Sequence, residues 1–144
     1  MMELTYHRKG DYLFPNLVIE TEDAPQIDVD TSGMDLTQFS ELIAYFHYPE
    51  GMEANTVRIF VNHLTSGYPS TDGEGTASYM GSGSLQSATG IGKINILVGR
   101  RLVENACSAV PTEEVTTLSF VGRKSTSDKN LAAGTLFQLI GIRR

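Results

Sequence analysis

The stretch TLFQLIGIRR, residues 135–144, decides the fold class because it has the pattern of a strand that is apolar on both faces. Side chains alternate between the two faces of a strand. The apolar residues therefore divide, with Phe137 and Leu139 on one face and Leu136, Ile140 and Ile142 on the other. Such a strand must be covered on both faces. We expect one cover to be the opposing sheet of a β-sandwich.

The second face of this strand has three candidate covers: another subunit, an N-terminal arm, or a loop of the same subunit. A bare apolar strand would invite aggregation. In a chain of 144 residues with few helices to spare, the first two covers are favoured. We therefore predict a subunit interface formed by Leu136, Phe137, Leu139, Ile140 and Ile142.

Short strand patterns recur through the rest of the chain at intervals of roughly ten to twenty residues. Gly, Ser and Thr crowd residues 64–92, which favours tight turns over helices. The predicted strands are 41–48, TVRIFVNHL at 56–64, TASYMG at 76–81, SLQSA at 84–88, KINILVGRR at 93–101, RLVENACSA at 101–109, VTTLSFVGR at 115–123 and the terminal strand. This spacing predicts an all-β, jelly-roll-like antiparallel β-sandwich over residues 36–144.

In two segments the spacing of the apolar residues decides between helix and strand. Residues 34–51 fit both a helical stripe and a strand face, and we predict a short helical turn over 35–40 before the strand at 41–48. In TVRIFVNHL the alternation is clearer. Val57, Ile59 and Val61 share one face, so this segment is predicted to be a strand with one side in the core.

Residues 1–35 are predicted to be an arm that precedes the sandwich. DYLFPNLVIE can form one extended stretch, and the acidic segment after it is interrupted by Pro25 and Gly33. An extended apolar segment can add a strand to an exposed sheet edge. We expect the arm to anchor to a neighbouring subunit or to another protein through Tyr12, Leu13, Phe14, Pro15 and Leu17.

Charge is divided unevenly along the chain, whose net charge is −6. Residues 1–56 carry eleven acids against two bases, whereas residues 57–144 carry nine bases against six acids. The asymmetry is explained either by solvated surfaces or by an acidic N-terminal segment that docks on a basic neighbour, such as another copy. The net negative charge argues against nucleic acid as a partner.

The acidic stretch IDVDTSG resembles the start of a calcium-binding loop. Asp28, Asp30 and Ser32 alternate and Gly33 follows, but Phe39 occupies the position where such a loop needs its closing Glu. A solvated acidic linker explains the stretch better. No cofactor is therefore expected.

Other chemistry-bearing motifs are not found in the sequence. GIGK at 90–93 lacks the remaining residues of a phosphate loop, and His7, His47 and His63 lack metal-ligand spacing. We therefore expect a protein that is not an enzyme. The enzymatic alternative is a glycan hydrolase, which would need two carboxylates about 5–9.5 Å apart. No apolar run approaches the length of a membrane span, so synthesis in the cytoplasm and no membrane partner are expected.

The closing residues N-L-A-A-G-T-L-F-Q-L-I-G-I, 130–142, resemble the last strand of a group of bacteriophage virion domains. The matching positions are Ala133, Gly134, Thr135, Phe137, Leu139, Gly141 and Ile142. Ile140 departs from the aromatic residue that the group usually has there. Upstream, Asn62 and Tyr68 match the strand and loop that precede the group's middle strands. The resemblance covers about residues 36–144.

This resemblance implies a jelly-roll-like domain of a tail, fibre or head-decoration protein, commonly a homo-oligomer and often a trimer. The implied function is that of a phage structural protein, located in the virion and attached to other virion proteins. The alternative is a carbohydrate-binding module for host-surface glycans. Its expected binding residues, in the loop 64–83, are Tyr68, Asp72 and Tyr79.

A second, local resemblance covers residues 5–17 only. TYHRKGDYLFPNL is similar to the start of TnpV-like proteins, with matches at Tyr6, Gly10, Asp11, Tyr12, Leu13, Pro15, Asn16 and Leu17. The remainder of the chain departs from those proteins, which continue as charged helices. We interpret the match as a shared docking segment and not as a sign of function.

Overall fold

The computed structural model describes residues 6–9, 12–15, 18–19, 24–71, 73, 75–86 and 90–144, with side chains described from residue 24 onward except at Gln86. Within these ranges the chain is built from strands. They are β1 Tyr6–Lys9, β2 Tyr12–Pro15, β3 Val18–Ile19, β4 Gln26–Asp30, β5 Phe39–His47, β6 Thr56–Val61, β7 Tyr68–Pro69, β8 Thr76–Ala77, β9 Gly81–Gln86, β10 Ile91–Val98, β11 Arg101–Val103, β12 Cys107–Pro111, β13 Thr117–Lys124, β14 Ser127–Asp128 and β15 Leu136–Arg143.

The strands form two layers, and neighbouring strands within each layer are antiparallel. The first sheet runs β1-β2-β15-β5-β10, with β3 also on β15 and with β11 and β12 continuing from β10. The second sheet runs β9-β6-β13, with β4 and β14 on the far side of β13. Strand β9 joins the two layers, because Gly81–Ser84 pair with β6 and Leu85–Gln86 pair with β10.

The core lies between the two layers. Phe46 on β5 and Phe137 on β15 meet Phe120 on β13, with ring centroids 5.1–5.7 Å apart. All three rings are at most 1% exposed. Edge-to-face contacts of this kind stabilise a pair beyond the burial of its area. The rings therefore pack β5 and the terminal strand β15 of the first sheet against β13 of the second sheet.

The alternation predicted for the strands is confirmed. Val57, Ile59 and Val61 on β6 are fully buried, and Phe137 and Leu139 on β15 are each 1% exposed. The predicted helical turn is also confirmed as a 3-10 helix, Leu36–Gln38, whose first turn is capped by the Asp35 carboxylate. The all-β antiparallel sandwich expected from the sequence is the observed fold class.

The boundary predicted between arm and sandwich is placed too late in the chain. Residues 26–30 belong to the predicted arm, yet they form β4, which pairs along its whole length with β13. Ile27 and Val29 are at most 3% exposed and lie in the core. The acidic residues of this stretch lie on the outer side of the same strand. They give a strand with one buried side the acidic composition that is expected of a linker.

The helical elements of the described chain are short 3-10 helices. Among the described residues, no helix has the length and apolar character needed to cross a bilayer.

Candidate functional site

The predicted anchoring segment lies beside the terminal strand of its own chain. The backbone of β2 pairs with β15 at Leu13↔Gly141 and Tyr12↔Ile142, and β3 pairs with β15 further along. The side chains of Tyr12, Leu13, Phe14 and Pro15, and the whole of Leu17, lie outside the described residues. Strands β2 and β3 thus add to a sheet edge of their own chain, and the anchoring to a neighbouring subunit or another protein stays a prediction.

The five residues predicted as a subunit interface separate into two groups. Phe137 and Leu139 are each 1% exposed and pack inside the sandwich, so their assignment to an interface is wrong. Leu136, Ile140 and Ile142 are half-buried and point to the opposite side of β15. The error arose because the sequence shows two apolar faces without showing which one the second sheet covers.

The outer face of the first sheet carries many apolar side chains, interrupted by a row in which Lys93 and Gln138 lie on either side of Tyr45. The register aligns Asn95, Ile43 and Ile140 in one row across β10, β5 and β15. Other rows bring Leu97 and Ile142 to either side of Glu41, and Ile91 and Leu136 to either side of His47. We call this surface, formed by the outward residues of β5, β10 and β15, the outer apolar face.

The exposed fractions show that parts of this face are open. Leu97 is 58% exposed and Ile91 is 46% exposed, although both are large aliphatic residues. Strands β2 and β3 extend the sheet sideways from β15, since they pair with its backbone. Exposed apolar surface within a sheet face is typical of contact sites for other molecules.

Tyr68, predicted to bind glycan, lies in the core. It is fully buried. Its hydroxyl accepts a hydrogen bond from the Val61 N–H at 2.9 Å and donates one to the Leu64 carbonyl at 2.6 Å. The assignment of Tyr68 to a glycan platform is therefore wrong, because the ring cannot meet a ligand and the hydroxyl holds the turn after β6.

The two remaining residues of the predicted glycan site have different outcomes. Asp72 lies outside the described residues. Tyr79 is half-buried, and the guanidinium carbon of Arg58 lies 4.4 Å from the centroid of its ring. Tyr79 therefore presents one side of its ring to an arginine rather than to solvent.

The acidic residues that suggested a cation site are accounted for by local hydrogen bonds. The Asp30 carboxylate accepts bonds from the Ser32 hydroxyl and N–H, and these bonds lower the pKa of Asp30. Asp28 accepts bonds from Gln26 and from Ser119. No group of His, Cys, Asp or Glu suited to a metal occurs in the described part of the chain.

A pocket of about 250 Å³ opens on the outer face of the second sheet. Arg58 and Val121 are direct neighbours across β6 and β13, and Gln26 neighbours Val121 from β4. Phe60 precedes the turn that carries Thr65. The uncharged part of the lining thus combines two apolar side chains with an amide and a hydroxyl.

The charged part of the pocket lining contains two guanidinium groups. Arg123 lies two residues from Val121 on β13, on the same side as Arg58. Its Nη1 lies 2.5 Å from the Asp128 carboxylate. His63 lines the pocket from the turn after β6, where its φ of 61° is left-handed. We call this site the arginine pocket.

Sequence reasoning missed the arginine pocket. The alternation of TVRIFVNHL places Arg58 and Phe60 on the non-core face, which is the one signal present. Arg123 is 65 positions away, and only the register of β6 with β13 brings the two together. Comparison with models of known protein families, with curated proteins and with solved structures finds no match for this chain.

Proposed function

We propose that the protein is a structural component of a bacteriophage particle that acts by binding copies of itself and other virion proteins. The observation that carries the proposal is the outer apolar face. A sandwich normally directs polar residues outward on its solvated side. Here Ile43, which is 8% exposed, neighbours the half-buried Ile140 on that side, and Leu97 on the adjacent strand is 58% exposed.

A second copy of this chain is the partner that suits the outer apolar face. Across β5, β10 and β15 the outward residues include one lysine, Lys93, and one glutamate, Glu41. The chain as a whole carries −6, so a nearly neutral face lets two copies approach without strong repulsion there. Depletion of charge is typical of interface centres.

The assignment to a phage particle is supported by the resemblance of residues 130–142 to virion domains. These residues include most of β15, whose inward side fills the core and whose outward side supplies three apolar residues of the outer apolar face. The same resemblance favours a trimer. A head-decoration protein and a tail or fibre component both fit a small sandwich that works by attachment.

Light scattering tests self-association. We expect the full chain to be an oligomer, and a chain carrying Ile91→Ser together with Leu97→Ser to be a monomer of unchanged circular dichroism. Leu64→Ser is the matched control, since Leu64 is 40% exposed but lies in the turn after β6. A monomeric wild-type protein would contradict the self-association, and an oligomer that survives the double substitution would place the interface elsewhere.

A separate measurement tests the virion location. Antibodies against the protein should label phage particles purified from the host that carries the gene, and mass spectrometry should find the chain in those particles in fixed proportion to a capsid or tail protein. Absence of the chain from purified particles would overturn this part of the proposal while leaving the oligomer intact.

The carbohydrate-binding alternative is predicted to use Tyr68, Asp72 and Tyr79. The ring of Tyr68 is buried in the core and cannot contact a glycan. The residues named for it therefore do not form an aromatic platform. Glycan recognition by this chain would have to use another surface.

A further inference from the structure

The arginine pocket carries an inference that is independent of a role in a virion. Its volume of about 250 Å³ is a little below the roughly 300–1,000 Å³ of pockets that enclose drug-sized ligands. It is therefore suited to one sugar ring or a ligand of similar size. The state of its two arginines distinguishes it from an ordinary surface depression.

In the described part of the chain, the guanidinium of Arg58 is positioned by an aromatic ring and not by hydrogen bonds. Its guanidinium carbon lies over the Tyr79 ring, 4.4 Å from the ring centroid, which is within the range of a cation–π contact. Among the described residues it has neither a hydrogen bond nor an ion pair. A guanidinium has five N–H donors, and a cation–π contact gives none of them a conventional hydrogen-bond acceptor. Arg58 is thus oriented without being neutralised.

Arg123 also keeps an unused donor. Its Nε is buried and has no hydrogen-bond partner among the described residues, whereas its Nη1 contacts Asp128. Buried N–H groups are nearly always paired, so an exception suggests a missing acceptor. The Asp128 side chain is 66% exposed, and exposed ion pairs hold weakly. A bound anion can therefore compete with Asp128 for this guanidinium.

The rest of the lining argues for an organic anion and not for a bare inorganic one. Phe60 and Val121 provide apolar surface, on which the C–H face of a pyranose ring can pack. Gln26, Thr65 and His63 offer hydrogen-bonding groups that suit ring hydroxyls. Planar carboxylates match the paired N–H donors of a guanidinium.

We propose that the arginine pocket binds an acidic sugar, with the carboxylate held by Arg58 and Arg123 and the ring packed on Phe60 and Val121. The ligand class is a hexuronic acid or another carboxylated monosaccharide unit, such as those that occur in acidic surface polysaccharides. Asp128 is the carboxylate that the ligand displaces from Arg123.

The test is a titration of the ¹⁵N-labelled full chain with D-glucuronate, D-glucose and inorganic phosphate, followed by amide chemical shifts. We expect glucuronate to shift amides of β6, β13 and β4, with an affinity at least about tenfold above that for glucose, since charge-assisted bonds are the stronger ones. Binding should weaken as salt is raised, because exposed charges are screened.

Two variants locate the interaction. Arg58→Gln should weaken glucuronate binding about tenfold or more, whereas Arg100→Gln, an exposed arginine on the turn after β10, should leave it unchanged. If Arg58→Gln fails to fold, Gln26→Ala and the comparison of ligands on the wild-type protein still decide the question. Gln26→Ala should weaken binding of glucuronate and leave phosphate shifts unchanged.

Several results would overturn the proposal. Equal affinity for glucose and glucuronate would remove the role of the carboxylate. Equal affinity for phosphate and glucuronate would show a general anion site that does not recognise a sugar. Shifts that map to the outer apolar face, or no shifts with glucuronate at millimolar concentration, would show that the pocket does not bind this class of ligand.

Discussion

The hydroxyl of Tyr68 bridges the end of β6 to the turn after it, accepting from the Val61 N–H and donating to the Leu64 carbonyl. At this point the chain turns through Asn62 and His63, both with positive φ. The turn leaves backbone groups that β6 no longer pairs, and a buried phenol satisfies two of them. Tyr68 is thus a structural residue whose hydroxyl has a specific task.

Tyr68→Phe should destabilise the fold while keeping its aromatic volume. The substitution leaves the Val61 N–H and the Leu64 carbonyl without their partner, which costs about 1–3 kcal/mol of unfolding free energy. Urea titration followed by circular dichroism measures the loss. Tyr45→Phe is the matched control, since Tyr45 is half-buried on the outer apolar face, and a change within about 0.5 kcal/mol is expected there. Equal effects of the two substitutions would show that the Tyr68 bonds contribute nothing.

Alkaline pH should act on the same hydroxyl. Burial raises the pKa of Tyr68 above its ordinary value of 10.0, and the bond from the Val61 N–H opposes this in part. The folded protein therefore favours the neutral phenol. The contribution of this group to stability is complete below about pH 10 and is lost as pH rises through the raised pKa.

The difference between wild type and Tyr68→Phe isolates this effect, because burial also raises the pKa of Tyr48 and that residue is present in both proteins. Unfolding free energies measured from about pH 8 to about pH 11 should fall more steeply for the wild type above about pH 10. Parallel curves would contradict the assignment of the titration to Tyr68.

Asn62 should be the most sensitive polar position of the same turn. Its Oδ1 accepts bonds from the N–H groups of Thr116 and Thr117, and its Nδ2 donates to the Glu114 carbonyl. Its φ of 51° is left-handed, a conformation that Asn tolerates better than most residues. The side chain thus links the turn after β6 to the start of β13.

A series at this position separates the bonds from the backbone strain. Asn62→Gly loses the side-chain bonds only, whereas Asn62→Ala also carries a left-handed backbone and should cost about 1–2 kcal/mol more. Asn62→Asp keeps the acceptor and should be the mildest of the three. If Ala and Gly cost the same in urea titrations, the backbone conformation is not the reason for Asn at this position.

Gly141→Ala should destabilise the terminal strand. A Cβ at Gly141 would lie 2.6 Å from Cε1 and 2.7 Å from Cδ1 of Phe39, a ring that is 1% exposed. The ring has little room to move, so overpacking should cost about 1–3 kcal/mol. Gly33→Ala is the control, because nothing lies within 4 Å of its Cβ position. A thermal melt in which both variants match the wild type would refute the close packing.

The sequence predicts those parts of the fold that local periodicity encodes. The buried side of β6 and the inward side of β15 follow from alternation alone, because each strand packs one face on the core. The sequence places β4 in the arm because Asp28 and Asp30 give it the composition of a linker, although Ile27 and Val29 alternate with them. At β4 the acidic composition favours a linker, whereas the alternation of apolar residues with a period of two favours the strand that is observed.

The candidate sites depend on information that no local window holds. Tyr68 lies in a polar, Gly-rich stretch with the composition of a surface loop, and its burial results from the path of the turn that it supports. Arg58 and Arg123 meet through strand register, which the two separate strands do not reveal. The division of β15 into a core side and an outer side likewise depends on where the second sheet lies.

Removal of residues 1–23 should turn the edge of β15 into a contact site. In the full chain, β2 and β3 pair with that edge at Leu13, Tyr12, Val18 and Ile19. Their loss exposes unpaired backbone groups on a strand with apolar residues, and such edges recruit further strands. The cut is placed before β4, whose pairing with β13 keeps the sandwich intact.

Light scattering distinguishes the roles of the N-terminal strands. We expect the chain lacking residues 1–23 to form larger, polydisperse species while retaining its strand signal in circular dichroism. A chain lacking residues 1–5, which keeps β1 to β3, is the control and should match the full chain. If the longer deletion instead gave a well-behaved monomer from an oligomeric full chain, the N-terminal strands would have to bind the neighbouring subunit, as the sequence alone predicted. In that event the pairing with β15 would form between subunits, and Leu13 would meet Gly141 of another copy.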